Sequence, residues 1–135
     1  MSAQRVFQPR FRHVLIVEDD PALARVIARN LEHRGVTARL AQSVEEAQAV
    51  LAAWHPDVLV LDIGLPGRTG WDLVRELQAT GRTLPIIVLT GGPLSQRRMT
   101  EFQPYACLPK PFPLDALIRL ITGSDEAGGE VAADA

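Results

Sequence analysis

Two hydrophobic periods alternate along the middle of the chain. Residues 14–17 are apolar at every position. In the segment PALARVIARNLEHRG that follows, Leu23, Val26, Ile27, Asn30 and Leu31 recur three and four residues apart until Gly35. That pattern predicts a fully covered strand, then an amphipathic helix closed by glycine. Residues 36–41 alternate only weakly and suit an edge strand. Ser43 followed by Glu46 has the form of a capping box, opening a helix to about Trp54.

The unit then repeats. Residues 58–61 read as a third strand, 63–69 as a Gly/Pro loop, and 71–79 as a helix stopped near Gly81. A fourth strand at 86–89 runs into Gly91, Gly92 and Pro93, and the polar segment 94–103 is weakly helical. A short fifth strand at 106–108 and a helix at 114–121, begun by Pro113, complete the pattern. Strands that are apolar throughout, separated by amphipathic helices, require a parallel sheet covered on both faces. Right-handed crossovers then favour a doubly wound α/β sandwich of five strands. The expected division is an N-terminal extension over 1–12, one domain over 13–123, and a small, acidic, patternless tail over 124–135 that is expected to be disordered.

Composition narrows the class. The 135 residues are 47% hydrophobic and 22% charged, with a formal net charge of −2. That balance supports one domain with a real core. It offers no general attraction to nucleic acid, and no basic stripe with interleaved aromatics appears, so no direct nucleic-acid contact is expected. Apolar runs are strand-sized, far below the ~20 residues of a membrane span, so no membrane insertion is expected. Cys107 is the only cysteine, which excludes an intrachain disulfide and fits a reducing, cytoplasmic setting.

In doubly wound folds chemistry gathers at the carboxyl ends of the strands. Here the first strand ends in Glu18, Asp19 and Asp20, the third in Asp62, the fourth in Thr90, and the fifth runs into Lys110 within the proline-rich stretch CLPKPFP. Clustered carboxylates repel unless they protonate or bind a cation, and oxygen-only ligands suit a hard ion such as Mg2+. A hydroxyl and an ammonium beside them would fit an anion's oxygens, which points to phosphoryl chemistry with a carboxylate nucleophile. Singly, each residue has a plainer role: Asp20 ahead of Pro21 caps a helix, Asp62 forms a turn, Thr90 ends a strand, Lys110 is a solvated charge. Their joint placement at strand ends favours the chemical reading.

The segments VLIVEDD (14–20), PDVLVLDIGLPGRTG (56–70), IIVLTG (86–91) and LPKPF (108–112) strongly resemble the receiver domain of two-component response regulators, over about residues 13–123. The resemblance implies a flavodoxin-like receiver fold with strand order 2-1-3-4-5. It implies that Asp62 is the phosphoacceptor, taking its phosphoryl group from a histidine kinase or phosphotransfer protein. Asp19 directly and Glu18 through water would hold Mg2+ together with Asp62 and the backbone carbonyl of Gly64. Thr90 would hydrogen-bond the phosphoryl group and Lys110 would pair with it, with Lys110–Pro111 a cis peptide. Pro66 and Gly70 match the proline and glycine of the loop after the acceptor. The domain would form and hydrolyse its own acylphosphate rather than act as an enzyme on other substrates. Its downstream protein partner is not named by the sequence.

Departures from the family pattern are also visible. The position three before the lysine, usually an aromatic switch residue, is Cys107; either Tyr105, two residues upstream, substitutes for the missing ring from a shifted backbone, or the domain signals differently from most of its relatives. Thr90 and Lys110 are about two residues closer together than is usual, so a short or irregular fourth helix is expected. The positions two after Asp62 and two after Thr90, Gly64 and Gly92, are both glycine. With only the short tail after Gly123, a stand-alone receiver is expected, signalling by protein contact or passing phosphate on. Alternatives are a receiver excised from a hybrid kinase and a degenerate receiver that binds proteins without phosphorylation. An aspartate-dependent phosphatase is disfavoured because Asp62 is followed by Ile63 and Gly64 rather than by an Asp-x-Asp arrangement. Arg97, Arg98 and Met99 read most simply as a solvated helix face.

Overall fold

A computed structural model describes residues 8–65, 67 and 69–123. The expected tail over 124–135, residues 1–7, Pro66 and Arg68 lie outside the described residues. Elements follow in strict alternation: β1 (His13–Val17), α1 (Pro21–Glu32), β2 (Thr37–Ala41), α2 (Val44–Ala53), β3 (Val58–Asp62), α3 (Gly70–Ala79), β4 (Ile86–Thr90), α4 (Gln96–Phe102), β5 (Ala106–Pro109) and α5 (Leu114–Thr122). The strands form one parallel sheet in the order β2-β1-β3-β4-β5. The weakly patterned β2 is an edge strand, as its composition required.

Each face of the sheet carries its own apolar layer. Leu15, Val17, Leu59, Leu61 and Val88 point to the side covered by α2, α3 and α4, with Leu73, Trp71 and Phe102 packed on them. Val14, Ile16, Val60, Ile87 and Leu89 point to the other side, under Ile27 and Leu31 of α1 and Leu117 and Ile121 of α5. β1, β3 and β4 therefore carry unbroken apolar runs over 14–17, 58–61 and 86–89 because both of their faces are covered.

Helix ends follow local chemistry. The Asp20 carboxylate accepts hydrogen bonds from the N–H groups of Ala22 (3.0 Å) and Leu23 (3.3 Å), and Pro21 occupies the first turn, where no donor is needed. Ser43 caps α2 by accepting from the Glu46 N–H, while the Glu46 carboxylate reaches back one residue further than a standard box, to the Gln42 N–H. The apolar stripe of α1 differs from the expected one: Ala24, Ile27, Ala28 and Leu31 are buried, whereas Val26 is 48% exposed. A small alanine fits closer to the sheet, which rotates the buried face away from Val26. The fourth helix is short, with seven residues, and ends at Gln103 in the left-handed region (φ 44°). Among the described residues no helix is long and apolar enough to cross a membrane.

Candidate functional site

Parallel register brings the functional strand ends together. Val17 is level with Leu61, so the next residues, Glu18 and Asp62, emerge side by side at the carboxyl edge of β1 and β3. This is where strand order reverses, the crevice such sheets use for ligands. On the other flank Thr90 is level with Pro109, and the Lys110 N–H donates to the Thr90 carbonyl (2.7 Å), placing the lysine at the end of β4, the strand next to the one that carries Asp62. The Lys110–Pro111 peptide bond is cis.

The side chains converge. Lys110 Nζ lies 3.0 Å from Glu18 Oε1 and 3.1 Å from Asp62 Oδ2, so one ammonium spans two carboxylates that are themselves buried. The other Asp62 oxygen, Oδ1, accepts from the Gly64 N–H at 2.9 Å, and Glu18 Oε2 accepts from the Asp20 N–H at 3.0 Å. Each carboxylate oxygen can accept more than one hydrogen bond, so these contacts orient Asp62 without exhausting its lone pairs. Asp19, exposed, completes the acidic group: one oxygen from each of Glu18, Asp19 and Asp62 falls within 4.8 Å of the others. An all-oxygen set with net negative charge and one open side fits a hard divalent cation.

Electrostatics follow from this packing. Burial raises the pKa of Glu18, helped by the nearby Asp62 charge, against the opposing pull of the Asp20 N–H and Lys110. Burial alone would lower the pKa of Lys110, but its bonds to Glu18 and Asp62 outweigh that, and the net direction is upward. The ammonium is therefore held charged.

The hydroxyl of Thr90 is turned toward its own loop. It donates to the Gly92 carbonyl at 2.7 Å, and the Gly92 N–H approaches the same oxygen at 3.3 Å. No sequence signal marks a backbone carbonyl as a partner, so this contact was not foreseeable. Cys107, within the edge strand β5, is level with Val88 and packs on the α4 side, its Sγ 3.7 Å from Met99 Sδ. Burial raises its thiol pKa. Tyr105 sits at the opposite end of β4 from Thr90: its N–H donates to the Ile86 carbonyl, its ring meets Phe11 edge-on at 5.4 Å, and its hydroxyl accepts from Arg10. Arg98 is more than a solvated residue, lying over the rings of Trp71 and Phe102.

A five-stranded doubly wound sheet that delivers buried acidic groups, a hydroxyl and a lysine to one edge has the architecture of a signalling receiver. The chain belongs to the response regulator receiver domain family, which it matches over residues 14–122. It is similar to the response regulator MprA of Mycolicibacterium vanbaalenii, with 37% identity over 128 residues, covering 88% of this chain and 55% of that protein. MprA of Mycobacterium ulcerans is 38% identical over 107 residues, or 78% of this chain and 46% of that one. The chain thus spans about half the length of the curated relatives it matches. Among solved structures, the Francisella response regulator 1452 receiver domain superposes with a TM-score of 0.74 at 27% identity, covering 81% of this chain and 93% of that one. The non-phosphorylated HemR receiver domain from Leptospira biflexa gives 0.73 at 29%, with 80% and 89% covered.

Proposed function

We propose that the chain is a phosphoacceptor of a two-component or phosphorelay system. Asp62 takes a phosphoryl group from the phosphohistidine of a histidine kinase or phosphotransfer protein, and the state is then read by protein contact or passed on. The observation that carries this reading is the setting of Asp62. It is a buried carboxylate gripped by Lys110 and the Gly64 N–H, with Glu18 and Asp19 close enough to share a cation.

The transfer is an in-line displacement. An Asp62 oxygen attacks phosphorus, the new O–P bond forms as the P–N bond to the donor imidazole breaks, and the imidazole leaves with its electron pair. Glu18, Asp19, Asp62 and the Gly64 carbonyl would hold Mg2+, which would supply positive charge to the transferred oxygens. Lys110 supplies a second, fixed positive charge from the protein itself. Thr90 offers a hydroxyl donor once it leaves Gly92. The same groups would let water hydrolyse the acylphosphate, so the domain resets itself and needs no separate substrate. A phosphorelay component with these partners would work in the cytoplasm.

The test is intact-mass measurement after incubation with Mg2+ and acetyl phosphate, wild type beside Asp62→Asn. A phosphoryl adduct on wild type alone is the expected result. No adduct with either the small donor or a phosphorylated kinase would overturn the reading in favour of a phosphorylation-independent binding module.

A further inference from the structure

Receivers of the usual sequence place an aromatic ring where this chain has Cys107, and Tyr105 is committed to Phe11 and Arg10. A ring pair does exist elsewhere on the path out of the site. Trp71 and Phe102 stack with centroids 4.4 Å apart and planes 17° from parallel, both buried. Arg98 lies 5.2 Å from the Trp71 ring and 5.7 Å from that of Phe102, and Arg75 lies 5.2 Å from Phe102. Glu101 faces both arginines, at 3.7 Å from Arg75 and 3.9 Å from Arg98. The proposed phosphoryl chemistry uses none of these groups.

Each ring is tied to a different part of the site. Trp71 follows Gly70, whose N–H meets the Ile63 carbonyl at 3.4 Å. Gly70 packs so tightly on the acceptor loop that a Cβ there would fall 2.8 Å from Ile63 Cα and 3.1 Å from the Asp62 carbonyl oxygen. Trp71 is therefore fixed to the backbone that carries Asp62. Phe102 ends α4, which is joined to Thr90 through Gly91 and Gly92, and a Cβ on either glycine would meet nothing within 4 Å. That connection has room to move. Cys107 packs in the same apolar layer as both rings and touches α4 through Met99.

Resting on the phosphoacceptor reading above, we propose that the Trp71–Phe102 stack is the element that reports the state of Asp62 to α4 in this chain. A hydroxyl has one proton to donate. Thr90 cannot donate both to the Gly92 carbonyl and to a phosphoryl oxygen on Asp62, so the two bonds exclude each other. Phosphorylation releases Gly92, α4 shifts with Phe102, and the ring moves against a Trp71 that stays with the acceptor loop. The small side chain of Cys107 leaves α4 free to make that shift without a ring threading beneath it.

Linkage makes the proposal reciprocal: if a phosphoryl mimic loosens the stack, loosening the stack must tighten the mimic. The experiment uses the full chain with Trp54→Phe, so that Trp71 is the remaining tryptophan, and beryllofluoride with Mg2+ as the probe, its binding followed separately by fluorine NMR. Trp71 emission is expected to change on mimic binding and not with Mg2+ alone. Phe102→Leu should raise mimic affinity about five-fold or more, the lower end of ordinary allosteric coupling. Arg98→Gln, a change at a half-buried position that decides the matter should Phe102→Leu fail to fold, should move affinity in the same direction. Bound mimic with silent Trp71 emission, or variants with unchanged or weaker affinity, overturns this proposal alone. Absence of any mimic binding overturns the phosphoacceptor reading and this proposal with it.

Discussion

Lys110→Met isolates the ammonium that bridges Glu18 and Asp62, since methionine keeps much of the apolar stem. Glu18 is fully buried and Asp62 is 6% exposed, so removal of the cation leaves two facing carboxylates with little water to separate them. Breaking a buried ion pair from one side costs about 3–5 kcal/mol. The lysine side chain is 32% exposed, and screening there trims the loss to about 2–3 kcal/mol in the absence of divalent cations. With a urea slope of about 1–3 kcal/mol/M, the midpoint should fall by about 0.7–3 M. The pH dependence has a definite sign. A carboxyl whose pKa is raised by folding binds its proton more tightly in the native state, so stability declines as pH rises from the ordinary 4.5 through the raised Glu18 value. Deleting Lys110 removes a lowering influence on Glu18, which extends that decline upward. The lysine's own contribution is complete below its ordinary 10.5 and is lost only as pH rises through its raised value. Urea unfolding in EDTA should therefore show a deficit that is large near about pH 8 and shrinks toward about pH 5, and added Mg2+ should restore part of it. A deficit independent of pH, or below about 0.5 kcal/mol, would refute the bridging account.

Away from the site, Arg82 donates to the Leu51 and Trp54 carbonyls at the end of α2 (2.9 and 3.2 Å) and meets His55 Nδ1 at 2.8 Å. Arg82→Ala should cost about 1–3 kcal/mol in denaturant unfolding while leaving phosphoryl adduct formation intact. Gly70→Ala forces a methyl against the Ile63 and Asp62 backbone; it should destabilise by about 1–3 kcal/mol and weaken Mg2+ binding by titration calorimetry. Burial alone would raise the pKa of Asp57, but the His13 ring and the N–H groups of His13 and Arg12 outweigh it and hold it below 3.8. Its stabilisation is present above 3.8 and is lost as pH falls through the lowered value, so Asp57→Ala should flatten the acid limb of a stability–pH curve.

Much of this was legible beforehand because it rests on local rules. Uninterrupted apolar runs at 14–17, 58–61 and 86–89 can be buried only in a sheet covered on both faces, and Asp20–Pro21 can hardly do other than start a helix. Glu18, Asp62, Thr90 and Lys110 stood out because each ends a strand, and parallel register then carries strand ends to one edge whatever the loops do. Contacts between elements left no such trace. Val26 has the spacing of a core residue, yet the depth at which Ala24 and Ala28 seat α1 rotates it into solvent. Arg98 has the look of a solvated charge until α3 and α4 bring two rings beneath it. The amino-acid order alone determined the elements, the sheet and which side chains would reach the acidic edge, since these depend on periodicity and on ends. Only the tertiary structure decided that Lys110 grips Glu18 as well as Asp62, that Thr90 rests on Gly92, and that Trp71 of α3 stacks on Phe102 of α4. Those choices depend on interaxial packing and on which backbone carbonyl lies within reach, and no residue type announces either.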